Sequence, residues 1–186
     1  GRTIVAMSGG VDSSVVAAML RHRGEDIVGI SMRLYGDPEG ERGKSCCSPE
    51  DLYDAREVAS GFDFPFYVAN YQDAFREQVI AYFVDEYRRG RTPSPCVLCN
   101  NHLKFDALLR RMRALGGRRL VTGHYARICV RDGRWALLRG TDARKDQSYF
   151  LFGLRRDDLA EIEFPLGEMT KEEVRQESKE MEGDPQ

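Results

Sequence analysis

The stretch TIVAMSGGVDSSVVAAML (residues 3–20) sets the strongest limit on what this chain can fold into. An apolar run fit for one buried strand, Thr3 to Met7, gives way to a helical pattern from Ser13 to Arg23, ended by Gly24. Glycines and serines fill the junction. Gly9 and Gly10 let the backbone adopt positive φ and approach an anion closely. Ser13 and Ser14 bring hydroxyls to the start of a helix, where free N–H groups and the helix dipole favour negative charge. In a sheet of parallel strands, the first strand-to-helix loop is the favoured cradle for phosphate.

The loop contains no lysine. It is therefore neither a G-K-[ST] loop nor a G-x-G-x-x-G dinucleotide fingerprint. A lysine in such a loop serves transfer of the terminal phosphoryl group. Its absence suits a loop that holds the β and γ phosphates as leaving pyrophosphate while a nucleophile attacks the α-phosphorus. The carboxylate of Asp12 is placed to orient Mg²⁺ or the loop.

Three more strands are predicted: Asp26 to Leu34, Phe64 to Ala69 and Arg119 to Thr122. Between them fall helices over Pro49–Ser60, Gln72–Arg88 and Leu103–Leu115, the last stopped by Gly116-Gly117. Ser48 reads as N-cap of the first, with Pro49 at its first position and Gly61 at its end. Residues 35–48 and 89–100 read as loops. This alternation predicts an α/β fold, a doubly wound, Rossmann-like parallel sheet. Arg127 to Val130 and Trp135 to Arg139, around Asp132-Gly133, add a β-hairpin. The length suits one nucleotide-binding domain, 1–170, with a helical tail over 171–186.

Charge is unevenly spread. The net value is −2, yet residues 88–145 hold 15 Lys/Arg against 3 Asp/Glu. A basic central third is the footprint expected for nucleic acid, although solvated arginines on scattered faces would give the same count. No apolar run approaches the roughly 18 residues of a membrane span. The N-terminus enters a strand pattern at once, which leaves no room for a signal peptide. Five cysteines, two adjacent and two spaced C-x-x-C, do not form a secreted disulfide pattern and point to metal or thiol chemistry in the cytosol.

The segment GRTPSPCVLCNNHLKF (90–105) carries the second signal. Its prolines stiffen the chain around Cys96 and Cys99, and Asn100 or Asn101 is placed to cap the helix that follows. A thiol near a helix N-terminus in basic surroundings is more often thiolate, the form that attacks sulfur or carries a persulfide. The same pair fits half of a zinc site, two ligands of an iron–sulfur cluster, or plain core cysteines. Cys46-Cys47 read as buried or partly exposed thiols, with a metal site shared with Cys96 and Cys99 as the alternative.

The loop SGGVDS resembles that of the PP-loop ATP-pyrophosphatase superfamily. With CCSPEDLYDAREVA, GRTPSPCVLCNNHLKF, TGHYAR, RGTDARKDQSYFL and FPLGEMTKEEVR, the chain resembles the tRNA-specific 2-thiouridylases up to about Arg175. The resemblance implies ATP contacts from Ala6, Met7, Ser8, Gly9, Gly10, Val11, Asp12, Ser13, Met32 and Gly123. It implies that Ser94, Pro95 and Cys96 lie against the target base and that Cys99 is the nucleophile. His124, Lys145, Asp146 and Gln147 would touch tRNA.

The implied cofactors are ATP and Mg²⁺. Cys96 and Cys99 are candidate ligands of a [4Fe-4S] cluster, because this chain has the C-x-x-C form where other members carry aspartate at the position of Cys96. The implied partners are the anticodon loop of tRNA and a persulfide-bearing donor, such as a cysteine desulfurase or relay protein. The implied reaction is adenylation of the C2 carbonyl of the wobble uridine, U34, then sulfur transfer from a cysteine persulfide. The products are 2-thiouridine, AMP and pyrophosphate, and the implied location is the cytoplasm. The family's second catalytic cysteine and later domains have no counterpart in these 186 residues. Either these residues are part of a longer chain, or the resolving thiol is Cys96, Cys46, Cys47 or Cys129; the residues beyond about 170 read as a divergent or truncated tail. A different PP-loop synthetase, or a non-catalytic tRNA- or metal-binding homologue, would share parts of the pattern.

Overall fold

A computed structural model describes residues 1–34 and 48–182. Its centre is a five-stranded sheet in the order β3-β2-β1-β4-β7, every neighbouring pair parallel. The strands are β1 (Thr3–Ala6), β2 (Ile27–Arg33), β3 (Phe66–Asn70), β4 (Arg119–Thr122) and β7 (Ile162–Glu163). The helices are α1 (Val11–His22), α2 (Pro49–Gly61), α3 (Gln72–Phe75), α4 (Ala81–Arg88), α5 (Pro95–Leu98), α6 (Phe105–Ala114) and α7 (Lys171–Glu182). A separate hairpin pairs β5 (Ala126–Arg131) with β6 (Arg134–Arg139). The expected α/β class and hairpin are both present.

Consecutive strand residues face opposite sides, so a sheet covered on both sides must bury both members of each pair. Ile4 and Val5, and likewise Leu120 and Val121, are all fully buried. Ile4 and Leu120 pack with Leu109 and Met112 of α6, whose apolar stripe recurs at helical spacing. Val5 and Val121 pack with Val15, Val16 and Leu20 of α1 and with Val174 of α7. Strand order reverses between β1 and β4, which places the ligand crevice beyond their carboxyl ends, at Ala6 and Thr122.

Local signals explain most boundaries. Ser48 and Asp51 form a reciprocal capping box, with Pro49 in the first turn of α2. Asp132 and Gly133 both have positive φ, 51° and 71°, as a two-residue hairpin turn of matching twist demands. β7 is too short for any sequence pattern to announce it. It is tied in by Arg119, whose guanidinium bonds both Glu163 and Glu25.

One expectation needs correction. The sequence pattern predicts a loop over 89–100, but the chain becomes helical at Pro95. It runs through α5, a wider π turn (Cys99–Lys104) and α6 without a break. Proline in the first helical turn forfeits no hydrogen bond, so Pro95 starts the helix about two turns before Leu103. Asn100 and Asn101 therefore cap nothing, and Asn101 is buried inside the π turn. The helix predicted over Gln72–Arg88 likewise contains a π turn, Arg76–Ile80, between α3 and α4.

Candidate nucleotide and thiol site

The loop after β1 is built to leave its amides open. Gly10 occupies the N-cap of α1 with no side chain bonded to the first turn. The serines fold inward instead. Ser13 Oγ accepts from the Ser8 N–H at 3.1 Å and donates to the Gly10 carbonyl at 3.0 Å, while Ser14 Oγ donates to the same carbonyl at 3.2 Å. Orphan N–H groups and the dipole of α1 thus remain for an anion. Gly9 has φ +79°, and a Cβ there would stand 2.1 Å from the Asp51 carbonyl in the first turn of α2. Gly123, just past β4, lies so close that a Cβ would meet the Asp12–Ser13 peptide at 3.0 Å.

Between this loop and the carboxyl end of β4 opens a cavity of about 250 Å³. Ile30, Met32, Phe105 and Leu108 give it an apolar wall, and Ser8, Asp12, Ser13, Thr122 and Lys104 a polar one. A flat apolar slot beside an anion nest suits a purine nucleotide with its phosphates on the loop. Of the residues expected at ATP, Ala6, Met7, Ser8, Asp12, Ser13, Met32 and Gly123 line the cavity. Gly9, Gly10 and Val11 form the loop above it.

Lys171 was not legible as a site residue. The loop lacks a lysine of its own, yet Lys171 Nζ donates to Asp12 Oδ1 at 2.6 Å from the far end of the chain. Tyr125 Oη donates to the same oxygen at 2.9 Å, and Lys171 stands over the Tyr125 ring. Burial, with the Asp12 carboxylate second, pushes the Tyr125 hydroxyl well above its usual range, so it remains a donor. Lys171 is held in turn: its backbone N–H donates to Asp142, and Thr170 and Glu173 cap α7 reciprocally. Asp142, in the hairpin exit, has its carboxyl held low chiefly by that Lys171 N–H. Only the 159-residue separation of Lys171 from Asp12 hides this cluster from a reading of local pattern.

His124 shares a 2.7 Å hydrogen bond with Thr122 and packs between Phe105 and Phe164, with ring centroids at 5.7 and 5.9 Å. Burial, and then the charge of Lys104, lower its pKa to about 4. It is neutral at ordinary pH, which suits a wall of the cavity better than a phosphate cation. Gln147 also lines the cavity and is locked to Tyr125 twice: its N–H donates to the Tyr125 carbonyl at 2.9 Å, and its side-chain Oε1 accepts from the Tyr125 N–H at 3.0 Å. Asp146 is spent internally, accepting from the Gly140 and Ser148 N–H groups and the Ser148 hydroxyl, which help hold its carboxyl low against the opposing effect of burial. Lys145 is exposed.

The thiols divide by exposure. Cys96 is exposed, whereas Cys99 is 6% exposed within the core cluster that includes Met32 and Phe105. Crossover helices run against the strands, so the N-terminal end of the α5–α6 helix lies at the carboxyl edge of the sheet, as the glycine loop does. Further along, this helix lines the cavity with Lys104, Phe105 and Leu108. Ser94 is exposed at its N-cap and Pro95 is partly buried. Cys129 is partly exposed on β5, and Cys46 and Cys47 lie outside the described residues. Among the described residues, no three His, Cys, Asp or Glu are grouped to hold a metal.

The basic third is partly neutralised by acids from the rest of the chain. Arg113 bonds Asp158 and Glu161, Arg119 bonds Glu25 and Glu163, and Arg89 and Arg91 pair with Glu86. Lys145 is exposed beside the cavity segment 146–147, as are Arg139, which reaches Asp146, and Arg144, which reaches Asp142 and Glu172. No helix of the described residues is long and apolar enough to cross a membrane.

Residues 1–183 match the family described as "tRNA methyl transferase HUP domain". The chain is 56% identical over 181 residues to the tRNA-specific 2-thiouridylase MnmA of Geobacter metallireducens, covering 94% of this chain and 49% of that protein. It is 47% identical to the protein of that name from Clostridium perfringens, covering 97% and 51%. The chain thus spans about half the length of these curated relatives. Among solved structures it is similar to the U34-tRNA thiolase NcsA of Methanococcus maripaludis, solved with its [4Fe-4S] cluster. The TM-score is 0.57 at 17% identity, covering all of this chain and 57% of that one. A predicted tRNA methyltransferase subunit from Methanocaldococcus jannaschii gives 0.55 at 16%, covering 96% and 74%. At such identities these two structures speak for the fold alone.

Proposed function

The chain belongs to the tRNA-specific 2-thiouridylase family, and from that premise we propose that it carries the uridine-activating site of an ATP-dependent tRNA 2-sulfurtransferase. The carrying observation is the lysine-free glycine loop that opens into a cavity walled by the helix bearing Cys96 and Cys99. ATP binds with its base against Met32, Ile30 and Phe105 and its β and γ phosphates on the amides of Gly9 to Ser13. Mg²⁺, held beside Asp12, would neutralise the departing pyrophosphate. O2 of an unpaired uridine attacks the α-phosphorus, and pyrophosphate leaves.

A persulfide on Cys99 then attacks C2, AMP leaves, and C2 is joined to Cys99 through two sulfurs. A second thiolate, of which Cys96 is the nearest in sequence, attacks the Cys99 sulfur. That forms a protein disulfide and releases 2-thiouridine. The disulfide must be reduced before the next round. Exposed Cys96 is the thiol that a cytoplasmic donor protein reaches directly. Attack of the Cys99 thiolate on the outer sulfur of a Cys96 persulfide moves that sulfur to the enclosed Cys99 and frees the Cys96 thiolate for the later resolving step. Ser94 and Pro95 would flank that base, and Lys145 with Gln147 would meet the RNA. A [4Fe-4S] cluster would need more ligands than Cys96 and Cys99, and among the described residues no third His, Cys, Asp or Glu is grouped with them.

Mass spectrometry of tRNA nucleosides after incubation with ATP and a persulfide donor tests the reading. The wild-type chain forms 2-thiouridine and Cys99→Ser does not, while pyrophosphate release needs tRNA and is lost in Asp12→Ala. ATP turnover with a small carboxylate and no RNA would instead mark a different synthetase.

A further inference from the structure

Directly after Gln147, which lines the cavity, the chain makes a 3-10 turn, Ser148–Leu151. The turn points Leu151 fully into the core and leaves two large rings in water. Tyr149 is 68% exposed and Phe152 66%. Single exposed apolar residues are ordinary, but these two stand together, with ring centroids 6.0 Å apart, and Phe150 lies edge-on to Tyr149 at 5.7 Å. Their backbone is fixed. Asp146 bonds the Ser148 N–H and hydroxyl, Phe150 N–H donates to Gln147, and Leu154 N–H donates to Leu151. The turn packs on α5 and on the π turn that carries Cys99.

Cations rim the rings: Arg144 and Lys145 precede the turn, and Arg155 and Arg156 follow it, all exposed, with Arg144 reaching Glu172 and Arg155 reaching Asp158 through long, solvated ion pairs. Flat, solvated aromatic faces edged by Arg and Lys match unpaired nucleobases on a phosphate backbone. An apolar protein segment would make no use of that charge.

We propose that Tyr149 and Phe152 form a stacking platform for the unpaired bases next to the target uridine. Held there, the loop presents the uridine to the cavity past Gln147. This rests on the RNA substrate proposed above.

The test is a fluorescence-anisotropy titration of the chain with a labelled RNA hairpin carrying an unpaired loop, across a salt series. Tyr149→Ala and Phe152→Ala each weaken binding about tenfold. The slope of affinity against salt stays as in the wild type, because no phosphate contact is lost, whereas Arg144→Ala flattens it. Tyr149→Trp keeps the affinity, ATP binding is unchanged throughout, and a hairpin with an abasic loop binds wild type and the double alanine variant alike. Both rings are exposed, so the variants fold, which circular dichroism checks.

If the wild type binds the hairpin and the alanine variants bind it equally well, the platform is wrong while the RNA reading stands. If the alanine variants keep RNA affinity but lose self-association in sedimentation, the rings serve a protein contact and the platform is again wrong. If the wild type binds no RNA, the underlying reading falls and takes the platform with it.

Discussion

Asp12 shows how much one side chain here depends on residues far from it. Its neighbours in sequence predict a carboxylate near phosphate; its donors, Lys171 and Tyr125, come from elsewhere. Both partners of the Lys171–Asp12 pair are partly solvated, so breaking it costs stability only about 1 kcal/mol. Lys171→Met should therefore leave the melting temperature nearly intact. It should raise the ATP and Mg²⁺ concentrations needed for half-maximal pyrophosphate release, with Lys171→Arg recovering part of the loss. At Gly9, alanine adds a strained positive φ, roughly 1 kcal/mol, and a backbone collision with Asp51. Gly9→Ala should abolish ATP binding, as isothermal titration would read.

His124 carries a pH signature. Its pKa falls from 6.5 unfolded to about 4 folded, so the unfolded chain binds the extra proton between those values. Stability then rises with pH through that window and is lost as pH falls from 6.5 towards 4, by at most about 3 kcal/mol. Urea unfolding of His124→Gln should show a flatter profile over the same range.

At the scale of elements, periodicity and caps made most of the architecture legible. Pro49 with Ser48, and Asp132 with Gly133, each state a local geometry that nothing distant overrides. Ser48→Ala should cost about 1 kcal/mol in chemical denaturation, the usual worth of such a cap. The segment around the thiols was misread because its two prolines suggest a loop, while Pro95 in fact starts a helix. The π turn over Cys99–Lys104 depends on packing against other elements, and no residue type announces it. β7 escaped for a related reason: two residues carry no period, and Arg119 holds them through contacts 44 residues apart.

Taken whole, the molecule brings a glycine loop, an apolar slot and a thiol-bearing helix to one edge of one sheet. The strand and helix pattern already places the glycine loop and the start of the thiol-bearing helix at that edge, since parallel topology fixes where strand ends and helix starts must lie. It did not foretell that Cys99 would be nearly enclosed while Cys96 stays open. The basic third was legible as charge but not as surface, because Arg113 and Arg119 are bound to acids from outside it. RNA affinity should consequently fall with salt less steeply than 15 cations would suggest. Titration across ionic strength should count only a handful of phosphate contacts.

Because α7 delivers Lys171 to the first loop, residues 159 positions apart in this sequence are stitched together at the glycine loop. A fragment stopping at Met169 would retain every strand of the sheet, yet it would lack both the ammonium beside Asp12 and the Val174 plug against α1. Anyone trimming this unit for grafting or for a minimal ATP sensor must keep the last helix, however dispensable its acidic exterior looks.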